Sequence, residues 1–456
     1  MFIQKGSVTM YLGIGAFIIV LAALWYIREK SFSWRVFLAL GLGVVLGYIL
    51  KQFIAAADVK SVVSWYDVVG SGYVRLLRMV SIPLIMVSIL SAVVNMDASK
   101  GLAKVTALLI VVLMLTTAIS AGIGIGISDL FGLNAQEITV GASEQKGMDK
   151  IVTRAENTDL SIQSQILNVI PTNPFAAMTG AGSNSTLAVV LFSALLGAAV
   201  LAVRKEKKDL ADRFQSGLAV IYEAIMELTW FVIELTPYGI CAIIAKTVAM
   251  TDYKAVVALA KFAGASYVAI ALVFLVHLFL LQLAGYSPTT YLRKSWPTLT
   301  FAFTSRSSMA TLPMTIDTLH NRMGLSEGLS GFAASLSTSI GQNGCAGIYP
   351  AMLAVMIAPT IGVDPFTVPF MTKLIVIVAL ASFGIAGVGG GATFAAIMVL
   401  SALGFPIALA GVLISIEPLI DMGRTALNVS GGLTAGLITG RLVHDMNKKI
   451  YDDKDK

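Results

Sequence analysis

Residues 374–416 read LIVIVALASFGIAGVGGGATFAAIMVLSALGFPIALAGVLISI, a run of 43 residues without a charged side chain. A helix needs about 20 apolar residues to cross the hydrocarbon core of a bilayer, so the run is too long for one crossing. It has no room for two crossings joined by a solvated loop. The glycine-rich centre, Gly384 to Gly391, breaks it near the middle. A helical hairpin that dips into the membrane and returns satisfies both constraints. Its non-helical tip is tolerated at that depth only when buried in protein or lining a watery cavity.

Working outward, the same character covers most of the chain. Gly6–Ile27, Met79–Met96, Val105–Ser128, Phe262–Leu292 and Gly328–Val363 also carry no charge. The 456 residues are 57% hydrophobic and 13% charged, against about a quarter charged in soluble domains. Buried soluble helices rarely run so far without charge, so a large soluble core is excluded. Lipid admits only helices or closed barrels. The runs are continuous rather than alternating, which excludes a barrel, and the expected class is an all-α polytopic membrane protein.

Gly6–Ile27 is long for a signal peptide, and its basic residues follow rather than lead it, so a retained helix is expected. The two cysteines, Cys241 and Cys345, make no disulfide framework. The net charge of +6 is spread over short loops with no basic stripe or interleaved aromatics, so nucleic acid is not a partner. Arg28 to Arg35, Lys100/Lys104, Arg204 to Lys208, Arg293-Lys294 and Arg441 mark cytoplasmic ends, and the polar stretch Asp129–Asp159 fits the outside. The N-terminus is then outside, the C-terminus cytoplasmic and the location the cell membrane. Helices are expected near 7–27, 35–54, 66–96, 102–130, 215–248 and 255–286, with a broken region at 160–203.

The C-terminal third is interrupted at membrane depth in two further places. Thr304 to Thr311 lies between Pro297 and Pro313, and makes 290–317 a second, shorter hairpin. Ser339 to Gly344 breaks another apolar run. One such stretch would fit close helix packing; three in 90 residues fit a transporter site between inverted repeats better.

Glu417, Asp421, Arg424, Thr425 and Asn428 follow at i, i+4, i+7, i+8 and i+11. At about 100° per residue they share one helix face. Charges at membrane depth cost several kcal/mol. A structural Asp421–Arg424 salt bridge would explain two of the five. Carboxylates, a guanidinium, a hydroxyl and an amide together suit a zwitterion: a carboxylate holds an ammonium, and arginine forks a carboxylate. Glu223, Glu227 and Glu234 fit a polar seam and receive no role. The three histidines are scattered, which leaves no metal cluster. No phosphate-binding, nucleophile-elbow or zinc-protease motif appears.

At these residues the chain resembles the dicarboxylate/amino acid:cation symporter family, the glutamate-transporter fold, over 35 to about 445. The stretches that carry this are Arg75 to Met79 with Pro83, Pro171 to Phe175, Arg306-Ser307-Ser308 with Thr311-Leu312-Pro313, Ala386-Gly387-Val388, and Asp421 to Thr425 with Asn428-Val429. Within the family it is most similar to bacterial L-cystine symporters, which also carry an extra N-terminal helix. The resemblance implies a homotrimer with a mobile elevator domain at 99–131 and 255–445, a scaffold at 35–98 and 132–254 with an extracellular loop, an extra helix at 1–34 and a cytoplasmic tail at 446–456. Hairpins near 290–317 and 366–402 would be the inner and outer gates.

By the same resemblance, Asp421 receives the substrate ammonium, and Asn428 with the Ser307-Ser308 backbone holds its α-carboxylate. Arg424 reaches the distal group. Thr425, Cys345, Gly387, Val388 and Gly389 line the pocket. Ion coupling falls to Thr116, Thr117, Ser339, Gln342, Asn343, Ser382, Phe383, Ile385 and Glu417, with a sodium site built around Ser339, Ser382, Phe383 and Ile385. No other cofactor is implied; the coupling ion is Na+, H+ or both.

The chain also departs from the family pattern. Its Asn-Met-Asp-Gly-Thr stretch reads Gly341-Gln342-Asn343-Gly344-Cys345, a second sodium-binding aspartate is Gly432, and the aspartate four before Asp421 is Glu417. Two sodium sites thereby lose a carboxylate. The expected function is cation-coupled uptake of L-cystine, with acidic amino acids or dicarboxylates as the alternative. A channel would not need two gated hairpins around a zwitterion-shaped face. An intramembrane enzyme would need a nucleophile–base pair, and no histidine lies near the serine stretch.

Overall fold

The computed structural model describes residues 8–30, 32–54, 56–94, 102–135, 148–149, 152–153, 162–179, 185–250, 260–384, 391–407, 413 and 416–453. These are almost entirely helical, and seven helices among them are long and apolar enough to cross a membrane. Large apolar side chains such as Ile18, Ile19, Val111, Phe231 and Phe279 stand exposed along them, as a lipid-facing surface requires.

The chain divides into two compact units. The first comprises residues 1–80 and 226–253. It holds α1 (Val8–Tyr26), α2 (Phe32–Phe53), most of α3 (Ala56–Val94), the end of α6 (Lys208–Glu234) and α7 (Thr236–Met250). Here α2 and α7 cross closely. A Cβ on Gly43 would lie 2.8 Å from the Cys241 carbonyl oxygen, and one on Gly47 2.6 Å from that of Ala245. Small residues four apart let the backbones meet, the usual device where lipid offers no hydrophobic drive. Phe17 stacks on Tyr66 with centroids 3.9 Å apart, and the Tyr66 hydroxyl donates to the Gly13 carbonyl. One expectation is corrected here. The helix expected at 215–248 is two helices, α6 and α7, because Pro237 lacks an N–H and restarts the helix at its first turn.

The second unit comprises 81–225 and 254–456. Residues 81–98 and 132–225, assigned by the resemblance to the scaffold, group with this unit. Its helices include α4 (Leu102–Leu130), α5 (Ser185–Glu206) and α8 (Ala260–Leu283). A helix–turn–helix pair follows, α9 (Pro288–Ser305) with α10 (Leu312–Asp317), and further on come α13 (Val368–Ala381) and α14 (Gly391–Leu403), with 385–390 outside the described residues. Between them lies a broken helix. α11 (Glu327–Ser337) stops, Gly341 takes φ +69°, a π-helical turn runs from Asn343 to Ile348, and α12 (Tyr349–Ile357) continues. Gly341 is obligatory, since a Cβ there would sit 2.5 Å from that of Leu113. Pro350, without a donor, favours the irregular turn before it.

α15 (Glu417–Leu442) is the axis of this unit, buried nearly all round from Ile420 to Gly440. The apolar core gathers α4, α8, α12, α13 and α14 about it. After α15 the chain turns at His444 (φ +55°), bridges Leu325 through Met446, and ends in the short helix α16 (Lys448–Asp452).

Candidate functional site

The first helical pair turns at Arg306, which caps α9 in a left-handed conformation at φ +55°. The return is held by the hydroxyls of Thr298 and Thr318, 2.7 Å apart. This backbone turn carries the Arg306 guanidinium to Asp421, Nε to Oδ2 3.3 Å. On the other side of the same carboxylate, Arg424 Nη2 lies 3.4 Å from Oδ1, and it lies 3.6 Å from Glu417 Oε1. Thr393 of α14 donates to Glu417 Oε1 at 3.0 Å. Arg424 is fully buried, its Cζ 4.5 Å from the centroid of the Tyr349 ring. Two cations and two anions therefore balance in one cluster, with Asp421 and Arg424 buried and Arg306 and Glu417 partly exposed. Yet the Nε and Nη1 atoms of Arg424 have no partner, although buried donors are normally satisfied.

The broken helix supplies the floor. A Cβ on Gly344 would lie 2.7 Å from the Arg424 Cα, so the π-turn is pressed against α15. Asn428 ties the two together. Its Oδ1 accepts from the N–H groups of Gly344 and Cys345, and its Nδ2 donates to Gln342 Oε1 and Cys345 Sγ. The amide expected to hold a substrate carboxylate is thus occupied in holding the π-turn. Cys345 Sγ lies 4.0 Å from Asp421 Oδ1. Thr425 is buried on the same helix, and Ser308 Oγ is buried without a partner. Ser307 takes the N–H of Ala310 on its hydroxyl. Gly387, Val388 and Gly389 lie outside the described residues.

The ion-coupling candidates fall in the same unit. Thr116 and Thr117 donate to the Leu113 carbonyl, and Thr117 Oγ1 in turn accepts from Asn343 Nδ2 at 3.4 Å. Ser339 Oγ is buried without a partner. Ser382 is fully buried; its hydroxyl donates to the Ala379 carbonyl and lies 3.5 Å from Met114 Sδ. Phe383 follows it in the closing turn of α13, and Ile385 is outside the described residues. An aspartate at Gly432 would force Ser337 to shift, because even a Cβ there would overlap the Ser337 side chain. Among the described residues no group of three histidine, cysteine or acidic side chains could hold a metal ion.

The model of the sodium:dicarboxylate symporter family matches residues 32–442. The chain belongs to that family. The symporter is 48% identical over 439 residues to the L-cystine uptake protein TcyP of Shouchella clausii (strain KSM-K16), covering 95% of this chain and 94% of the relative. It is 45% identical over 452 residues to the protein of the same name from Bacillus thuringiensis (strain Al Hakam), covering 97% of each. The Bacillus licheniformis protein of that name is 45% identical over 441 residues, covering 95% of each. Sequence reasoning missed Arg306 as a site charge, along with Tyr349 and Thr393. Arg306 alone had a signal: a cation between hydroxyl residues at membrane depth.

Proposed function

We propose that this symporter takes up L-cystine together with a cation, moving it across the cell membrane by an elevator motion within a homotrimer. The observation that carries the substrate reading is the buried Arg424 with two nitrogens unpartnered beside Asp421. The relatives named for cystine uptake support it. Cystine bears two ammonium groups and two carboxylates. An ammonium on Asp421 would displace Arg306, whose freed guanidinium then meets the adjoining carboxylate beside Ser307 and Ser308. The distal carboxylate goes to Nε and Nη1 of Arg424. The re-entrant pairs α9/α10 and α13/α14 act as the two gates, α1 is an additional membrane-spanning helix, the N-terminus is outside and the C-terminus cytoplasmic.

With Asn343 and Gly432 replacing carboxylates, few sodium ions are coupled, because neutral oxygens replace hydration without cancelling charge. One site at Ser339, Ser382, Phe383 and Ile385 remains. Glu417 is the alternative proton carrier, since its protonation would remove one of the two acids facing Arg424.

The test is uptake of labelled cystine, with acidic amino acids as competitors, into proteoliposomes under separate sodium and proton gradients, for wild type and Glu417→Gln. Cystine is expected to be preferred. Preference for glutamate or aspartate would replace cystine by a dicarboxylic amino acid. Strict sodium dependence unmoved by the proton gradient would assign coupling to the Ser339/Ser382 site alone.

A further inference from the structure

A thiol lies within the charged cluster, and the proposed substrate is a disulfide. Cys345 is 6% exposed, and Asn428 Nδ2 donates to its sulfur at 3.1 Å. Its sulfur is 4.0 Å from Asp421 Oδ1, the atom that Arg424 Nη2 approaches at 3.4 Å. Independently of the cysteine, the unpartnered Nε and Nη1 of fully buried Arg424 indicate an anionic ligand at the same place. In cystine each sulfur is two bonds from the Cα that bears the ammonium and carboxylate. A molecule with its ammonium on Asp421 therefore brings its near sulfur beside Cys345 Sγ.

We propose that Cys345 is a substrate-reactive thiol, which exchanges with bound cystine and stalls the transporter as a mixed disulfide. The inference rests on cystine being the substrate. The Cys345 sulfur attacks the near sulfur of cystine, the substrate S–S bond breaks, and a Cys345–cysteine disulfide forms. The departing half leaves as cysteine carrying the thiol proton, for which Asp421 Oδ1 is the nearest carboxylate oxygen. One thiol and one disulfide become one disulfide and one thiol, so no outside oxidant is needed.

Exchange requires the thiolate, and the carboxylate oxygen nearest the sulfur is Asp421 Oδ1. Cys241, the other cysteine, is buried among apolar residues of the first unit. It lies outside the charged cluster and stays unmodified.

The experiment uses the full chain in lipid nanodiscs. Binding of L-cystine and of its thioether analogue cystathionine is followed by calorimetry. After acid quenching, intact mass and peptide mapping locate any adduct. The expected result is one cysteine adduct per chain on Cys345, none with cystathionine, none on Cys241, and none in Cys345→Ser. Reductant should remove the adduct, and uptake should fall in proportion to the fraction modified. Cystine binding without mass change overturns the inference and leaves the substrate reading intact. Equal labelling of both cysteines, or an adduct that survives in Cys345→Ser, overturns it as well. Absence of cystine binding overturns both.

Discussion

Arg424 and Lys294 are buried alike, at 0% and 1% exposure, but their surroundings differ. Arg424 faces two carboxylates and a tyrosine ring and keeps two nitrogens unpartnered. Lys294 donates to two backbone carbonyls, Arg322 O at 2.7 Å and Ile450 O at 2.5 Å, with the Tyr451 ring 6.0 Å away. Around it the C-terminal strap closes on the feet of the first helical pair. Asn447 N–H donates to the Gly324 carbonyl, Ser326 donates to Asp445, and the Tyr451 hydroxyl donates to the Ser287 carbonyl. Tyr286 packs on Tyr451 with centroids 5.0 Å apart. A buried cation with donors to spare is a binding group. A buried cation whose ammonium caps chain carbonyls is a clamp, here joining α9, the π-helical turn Thr318–Arg322 that follows α10, and α16.

The largest effect that can break this comparison is at Arg424. Arg424→Ala is expected to weaken cystine binding about a hundredfold, the few kcal/mol of a desolvated two-pronged contact, and to abolish uptake. Calorimetry showing near-normal affinity in a folded variant would remove arginine from the site. Next comes Lys294→Met. It leaves the carbonyls of Arg322 and Ile450 unpaired, each at about 1–3 kcal/mol. Thermal unfolding should therefore shift down clearly while cystine affinity stays within about twofold. Unchanged unfolding with lost affinity would reverse the two roles. The smallest change, Tyr451→Phe, deletes one hydroxyl donated to Ser287 and should cost about 1 kcal/mol of stability. It sharpens the comparison by testing whether the ring or the hydroxyl does the fastening: an unfolding temperature equal to wild type assigns the fastening to the ring.

The two regions were also unequally legible in the sequence. The face shared by Glu417, Asp421, Arg424 and Asn428 follows from spacing within one helix, and the structure brings these residues to one place. The break at Gly341–Asn343 was readable for a similar local reason: a glycine and two amides interrupt an apolar run. Arg306 was readable only as an anomalous charge, because its partner Asp421 lies 115 residues away. The clamp was not readable. Lys294 stood in a dibasic pair that marks a cytoplasmic end, and its carbonyl acceptors carry no side-chain signature.

The sequence by itself determined that this chain lives in a membrane, that its C-terminal third is interrupted by glycine-rich and polar stretches, and which helix carries the charges. Each is a matter of local composition and period: uncharged length against bilayer thickness, and helical spacing against the cost of burying charge. Only the tertiary structure decided which charges meet. It set Arg306 and Arg424 on either side of Asp421, packed Ser337 against Gly432, engaged Asn428 with the π-turn, and placed Cys345 beside the acid. Those pairings depend on how closely separate helices approach. That distance is set by glycines and side-chain volumes on both partners at once, which no single stretch of sequence contains.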